Sequence, residues 1–151
     1  MGLNDLREKI KIKLNQNGVN TSEMDVMITC GANQAFMNTV LATCDEGDSA
    51  VILAPYYFSH KLALQLAGAK ISICPFSQTT LKPDISQLRK IFDQTKPSLL
   101  VVTSPNNPSG LVFDDSALTE LCLLCRESII YIYIYIYILY MYVYMLKYYM
   151  A

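Results

Sequence analysis

The sequence carries no surplus of positive charge: 12 lysines and arginines stand against 13 aspartates and glutamates, for a net charge of −1. That balance supplies no basic field to recruit nucleic acid, and nucleic-acid binding is set aside as a function. It has no apolar run at its start either; polar and charged residues interrupt Met1–Ile10, so no secretory leader is expected there. The opening Met1-Gly2 pair invites acylation of the glycine, but position six is Leu6 where that motif wants Ser or Thr. There is no even set of cysteines. The five (Cys30, Cys44, Cys74, Cys122 and Cys125) sit inside apolar segments, which suits the reduced thiols of a cytoplasmic protein better than a disulfide framework. Cys122 and Cys125 form a C-x-x-C without a second pair. They fall in an amphipathic helical pattern, so we read them as core-filling thiols, and no metal site is expected.

What is present divides into two unlike parts. At 151 residues the chain has room for one ordinary domain, but its 52% hydrophobic content is unevenly spread, with nine of the eleven tyrosines after Glu127. Two segments are therefore expected, 1–127 and 128–151. In the first, Leu3, Leu6, Ile10 and Leu14 keep helical spacing up to a stop at Gly18. Met24–Thr29 reads as a short strand, and Cys30-Gly31-Ala32-Asn33 as a turn into a helix running to Cys44, with Phe36, Val40 and Leu41 on its apolar face. Ser49–Ala54 is a continuous apolar run of the kind buried parallel strands use. Pro55 breaks it, and a helix from Tyr57 to Leu66 ends at Gly68. Ile71–Cys74 is the next strand. Pro83-Asp84 opens a helix through Phe92, with Asp84 in its electropositive first turn. Ser98–Thr103 is another apolar strand, and Asp114-Asp115-Ser116 caps a helix to Glu127. Strand and helix alternate throughout, which predicts an α/β fold: a mostly parallel sheet with flanking helices.

Residues 129–146 speak a different language, Ile-Ile-Tyr-Ile-Tyr-Ile-Tyr-Ile-Tyr-Ile-Leu-Tyr-Met-Tyr-Val-Tyr-Met-Leu. Strict alternation suggests a strand, although both alternating sets are apolar or aromatic. Length without charge raises a membrane anchor, against which stands the preference of tyrosine for the membrane interface. The third reading lies in the nucleic acid: a TATATA repeat translates as Tyr-Ile in any frame. On that reading 128–151 is translated AT-rich non-coding sequence, and we expect a low-complexity, non-native tail.

Three segments carry the chemistry, each just beyond an expected strand. In Thr29-Cys30-Gly31-Ala32-Asn33-Gln34-Ala35-Phe36, small residues at a strand-to-helix turn let main-chain N–H groups approach an anion at the helix N-terminus, although any tight turn also wants glycine. Ala54-Pro55-Tyr56-Tyr57-Phe58 is an aromatic cluster just past a buried strand, and the residues alone favour reading it as a hydrophobic cap. Thr103-Ser104-Pro105-Asn106-Asn107-Pro108-Ser109-Gly110 packs two prolines, two asparagines and a glycine into a rigid loop that could aim an amide at a ligand. In open α/β sheets, ligands bind beyond the carboxyl ends of strands, where all three should converge.

The Ser104-Pro-Asn-Asn-Pro-Ser-Gly110 loop resembles the signature of class I/II aminotransferases, the fold type I enzymes that use pyridoxal 5′-phosphate. Gly31–Phe36 and Pro55–Phe58 lie at the spacing that family shows, and the wording is similar to a plant and cyanobacterial subgroup acting on aromatic amino acids or methionine. The resemblance runs from Gly2 to Glu127 and implies part of the family's large domain. It implies that the main chain at Ala32 and Asn33 holds the cofactor phosphate, that Tyr57 stacks on the pyridine ring, and that Asn107 hydrogen-bonds the ring's 3-hydroxyl group. It also implies a cis Asn107–Pro108 bond. For His60, the only histidine, it implies a supporting or surface role, because the family's acid–base group is a lysine. That lysine, the aspartate that meets the pyridine nitrogen, and the arginines for phosphate and substrate carboxylate are not found in 1–127, and no catalytic residue is assigned. The implied activity is amino-group transfer between an amino acid and a 2-oxo acid by a homodimer, with this chain an inactive fragment. The alternatives are a non-catalytic partner of a full-length relative or a tail-anchored membrane protein.

Overall fold

The computed structural model describes residues 2–128 in full, together with the backbone of 131–136 and 142–146. Two compact units divide the chain, Met1–Ala35 and Phe36–Ala151. No helix among the described residues is long and apolar enough to cross a membrane.

In the first unit, α1 spans Asn4–Gln16. It ends where its sequence stops it: Gly18 takes φ +84°, and the N–H of Val19 reaches back to the carbonyl of Leu14 at 3.0 Å. A glycine in the left-handed region lets the chain reverse there and satisfy a terminal carbonyl. Asn15 and Thr21 then tie the returning chain reciprocally. The Asn15 amide donates to Thr21 Oγ1 at 2.8 Å, and the Thr21 N–H donates to Asn15 Oδ1 at 3.2 Å.

The strand expected at Met24–Thr29 does not form. The segment is rich in apolar residues, but a strand also needs a neighbour to complete its ladder. Here side chains take the main-chain groups instead: the Val26 carbonyl accepts from Arg7 Nε at 2.7 Å, and the Val26 N–H donates to Asp25 Oδ1 at 2.8 Å. Met24 and Met27 are exposed.

The second unit is built on a sheet of strands β1 (Ser49–Ala54), β2 (Lys70–Pro75), β3 (Leu99–Ser104), β4 (Tyr131–Ile136) and β5 (Tyr142–Leu146) in the order β2-β1-β3-β4-β5. The first four are parallel and β5 is antiparallel to β4. Helices α2 (Ala32–Thr43, continuing from the first unit), α3 (Phe58–Leu66), α4 (Ile85–Thr95) and α5 (Asp115–Ser128) connect and cover it.

Side chains alternate along a strand, so β1 and β3 feed two cores at once. Ala50, Ile52, Leu99 and Val101 pack with Phe36 and Val40 of α2 and Ala63 and Leu64 of α3. Val51, Leu53, Leu100 and Val102 face the opposite way, onto Leu88 and Phe92 of α4 and Leu121, Leu124 and Cys125 of α5. Each fully buried Leu, Val or Phe contributes roughly 1.5–3 kcal/mol. The continuous apolar runs of β1 and β3 are thus the mark of strands covered on both faces.

The polar ends of the helices match the sequence reading. Asp84 is the N-cap of α4, its carboxylate accepting from the Gln87 N–H at 3.0 Å, and Asp114 does the same for α5 through the Ala117 N–H at 2.9 Å. Leu41 departs from expectation and is exposed. It follows Val40 directly and so lies well round the helix from the buried Phe36–Val40 stripe, since successive helical residues are about 100° apart. Within the Tyr/Ile tract, Tyr131–Ile136 and Tyr142–Leu146 take the strand form among the readings open to it; the remainder lies outside the described residues.

Candidate functional site

The strand order contains a reversal. From β1 the chain crosses through α3 to β2 on one side, then returns through α4 to β3 on the other side of β1. The two crossover helices lie on opposite faces, α3 in the core with α2 and α4 in the core with α5. Where consecutive connections diverge to opposite faces, a crevice opens between the carboxyl ends of the two strands, and ligands of open α/β sheets bind there. The loops that leave those ends are Pro55–Tyr57, after β1, and Pro105–Asp114, after β3. These are two of the three segments singled out in the sequence.

One side chain joins the two loops. Asn106 is 4% exposed; its Nδ2 donates to the Pro55 carbonyl at 3.0 Å, and its Oδ1 accepts from the Ser109 hydroxyl at 2.7 Å. Asn107 follows it and is exposed. The Asn107–Pro108 bond is cis, as the resemblance implied, and so are Ala54–Pro55 and Ser104–Pro105. The loop is closed by main-chain bonds from Asn106 to Leu111 at 2.7 Å and from Gly110 to Asn106 at 2.6 Å. The buried Ser104 hydroxyl accepts from the Phe113 N–H at 3.0 Å, fixing the exit towards α5.

Tyr57 is the residue at the start of α3 and is half-buried. Its ring meets Phe58 edge-on with centroids 4.9 Å apart and stands at 87° to the His60 imidazole at 5.6 Å. His60 is itself buried, 4.4 Å from the Phe36 ring, and burial lowers its pKa to about 4. The imidazole is therefore neutral near pH 7 and acts as an aromatic prop rather than a surface group. Its place in the core was not visible in the sequence; its spacing three residues after Tyr57, one turn along α3, was the available signal.

In the first unit, Ala32 and Asn33 open α2. Gly31 takes φ +87° in front of them, with open space where a Cβ would stand. The Gln34 side chain reaches back to accept from the Cys30 N–H at 2.5 Å. First-turn N–H groups of a helix have no acceptor within the helix, and this first turn holds no acidic residue to compete for them. An anion fits that arrangement.

Cys44, Cys74 and Cys125 are buried as the sequence suggested, whereas Cys30, in the turn before α2, is exposed. Burial pushes Cys125 up to about 12 and Cys74 up to about 11, so both stay protonated and unreactive at neutral pH. Cys122 packs half-buried against the same core.

Residues 1–142 match the family model for aminotransferase class I and II. The chain belongs to this family. Among its relatives it is 38% identical to an aromatic aminotransferase of Arabidopsis thaliana, over 84% of this chain and 33% of that protein. It is 32% identical to an aspartate/prephenate aminotransferase of Thermus thermophilus, over 87% of this chain and 34% of the other. Its fold superposes on an alanine aminotransferase from Pyrococcus furiosus with a TM-score of 0.80 at 27% identity, covering 87% of this chain and 34% of that one. An aromatic aminotransferase from Pyrococcus horikoshii gives 0.79 at 30% identity, covering 87% and 36%. The architecture is that of part of the family's large domain, and the chain spans about a third of the length of these relatives.

Proposed function

We propose that this chain forms part of a pyridoxal-phosphate site in an aminotransferase that moves an amino group between an amino acid, aromatic or methionine, and a 2-oxo acid. The observation that carries the reading is the Ser104–Gly110 loop, closed on itself and tied by Asn106 to the Pro55 carbonyl at the β1/β3 crevice. The name of the Arabidopsis relative supports the aromatic assignment.

The residues divide the work. Main-chain N–H groups of Ala32 and Asn33 bind the phosphate, helped by the positive end of α2 and by the missing side chain at Gly31. The Tyr57 ring, held at its edge by His60, covers one face of the pyridine and excludes water from it. The Asn107 amide donates to the 3-oxygen and fixes the ring's rotation. When bound, the cofactor supplies the electron sink that aminotransferase chemistry requires. The lysine, the aspartate at the ring nitrogen and the arginines that bind carboxylates have no counterpart we can place in 1–127. We therefore infer that this chain alone binds the cofactor weakly and does not turn over.

The test is equilibrium dialysis with pyridoxine 5′-phosphate, which lacks the aldehyde and so does not react with lysines. Saturable binding is expected. It should weaken about tenfold in Asn107→Ala, the worth of one desolvated hydrogen bond, and should be lost with inorganic phosphate in excess. A folded chain that shows no saturable binding overturns the reading. Turnover of phenylalanine or methionine with 2-oxoglutarate by the purified chain overturns the second inference.

A further inference from the structure

We propose that Asn106 is a positioning residue: its buried carboxamide pins the loop bearing Asn107 to the loop bearing Tyr57. The inference rests on the reading of those two residues as cofactor contacts, and it concerns a side chain to which that reading gives no role.

The argument begins with a carboxamide that is almost wholly out of water. Such a group must spend its donors and acceptors inside the protein, because an unmet polar atom there carries its full desolvation cost. Asn106 does so with both ends at once. The Nδ2 end donates to the carbonyl of Pro55, 51 positions earlier in the chain, at 3.0 Å. The Oδ1 end accepts from the hydroxyl and the N–H of Ser109, at 2.7 and 3.3 Å. One end thus faces the segment leading into Tyr57, and the other holds the turn that contains Asn107 and Pro108.

No hydrogen bond between secondary-structure ladders could do this, because both segments lie beyond the ends of β1 and β3, whose paired residues run only from Ala50 to Ile52 and from Leu99 to Val101. Past Val101 the two strands are not paired with each other, and the crevice begins. The Asn106–Pro55 bond spans it. Asn107, one peptide further on, inherits its direction from the pinned residue. The pair of asparagines thereby divides into one that turns inward to set the geometry and one that turns outward to use it.

Two variants separate the two ends. Asn106→Asp keeps the acceptor for Ser109 and loses the donor to Pro55, while Asn106→Ala loses both. In the free chain, hydrogen exchange should accelerate in Asn106→Asp across 54–60 but not across 106–111, and in Asn106→Ala across both. Affinity for pyridoxine 5′-phosphate should fall about tenfold in Asn106→Asp, and the preference for it over its 3-deoxy counterpart should shrink although Asn107 is intact. A merely structural residue would lower stability and leave that preference unchanged. Wild-type exchange at 54–60 together with wild-type affinity in Asn106→Asp overturns the proposal. If the wild-type chain binds no pyridoxine 5′-phosphate, the cofactor reading fails on its own, and the exchange experiment still decides: acceleration confined to 54–60 upholds the pin, and unchanged protection removes it. If Asn106→Ala does not fold, Asn106→Asp carries both measurements.

Discussion

His60 ties the stability of the fold to acidity. Its pKa is about 4 when folded against an ordinary value of 6.5, so between those values the unfolded chain holds the proton and the folded chain does not. Stability from this group is complete above pH 6.5 and drains away as the pH falls towards 4. Between pH 7 and 4.5 the loss is about 2 kcal/mol. Urea unfolding at the two pH values should show that much more acid sensitivity in the wild type than in His60→Phe; equal sensitivity in the two proteins would place the imidazole in water. Tyr57 and Asn107, which with Ala32 and Asn33 touch the cofactor in our proposal, were singled out through the resemblance of the segments around them to the family's motifs. The inward placing of Asn106 and His60 was not legible. Which of two adjacent asparagines turns inward depends on the carbonyl of Pro55, which arrives from another strand and leaves no trace in local sequence.

Among the elements, α4 tests how local its own signals are. Asp84 accepts from the Gln87 N–H and the Ser86 hydroxyl, and the hydroxyl first, then the N–H, hold its carboxyl below the usual range. Asp84→Ala should lower the denaturation midpoint by the equivalent of about 1 kcal/mol, while Asp84→Asn should retain most of it. Within the core, Leu121→Ala on α5 removes a side chain with no exposure at all. It should cost about 2–5 kcal/mol in the same assay, the upper part of that range if the α4–α5 layer cannot close over the cavity. Helices with caps and strands with unbroken apolar runs were readable because the information lies inside each segment. The Met24–Thr29 segment misled for the opposite reason: its apolar content suits a strand, but a strand exists only if a neighbour supplies the ladder, and Arg7 and Asp25 satisfied the main chain first.

At the scale of the molecule, α3 exposes Phe58, Leu62 and Leu66, one turn apart along a single line and 63%, 51% and 79% accessible. A stripe of this kind favours association. The chain should form concentration-dependent oligomers in sedimentation velocity, and Leu62→Glu with Leu66→Glu should return it towards a monomer without moving its thermal midpoint by more than a few degrees. A wild-type chain that sediments as a single monomer at every concentration would refute this. The strand order has a further consequence in time. β1 is made early, yet Ala50 meets its partner Leu99 only after about 50 more residues have been added, at about 5–20 residues per second. Once β2 has been added, a nascent chain leaving the ribosome therefore carries β1 with β2 on one side and nothing on the other for roughly 1–5 s. During that interval an apolar strand edge is open to whatever binds unpaired strands.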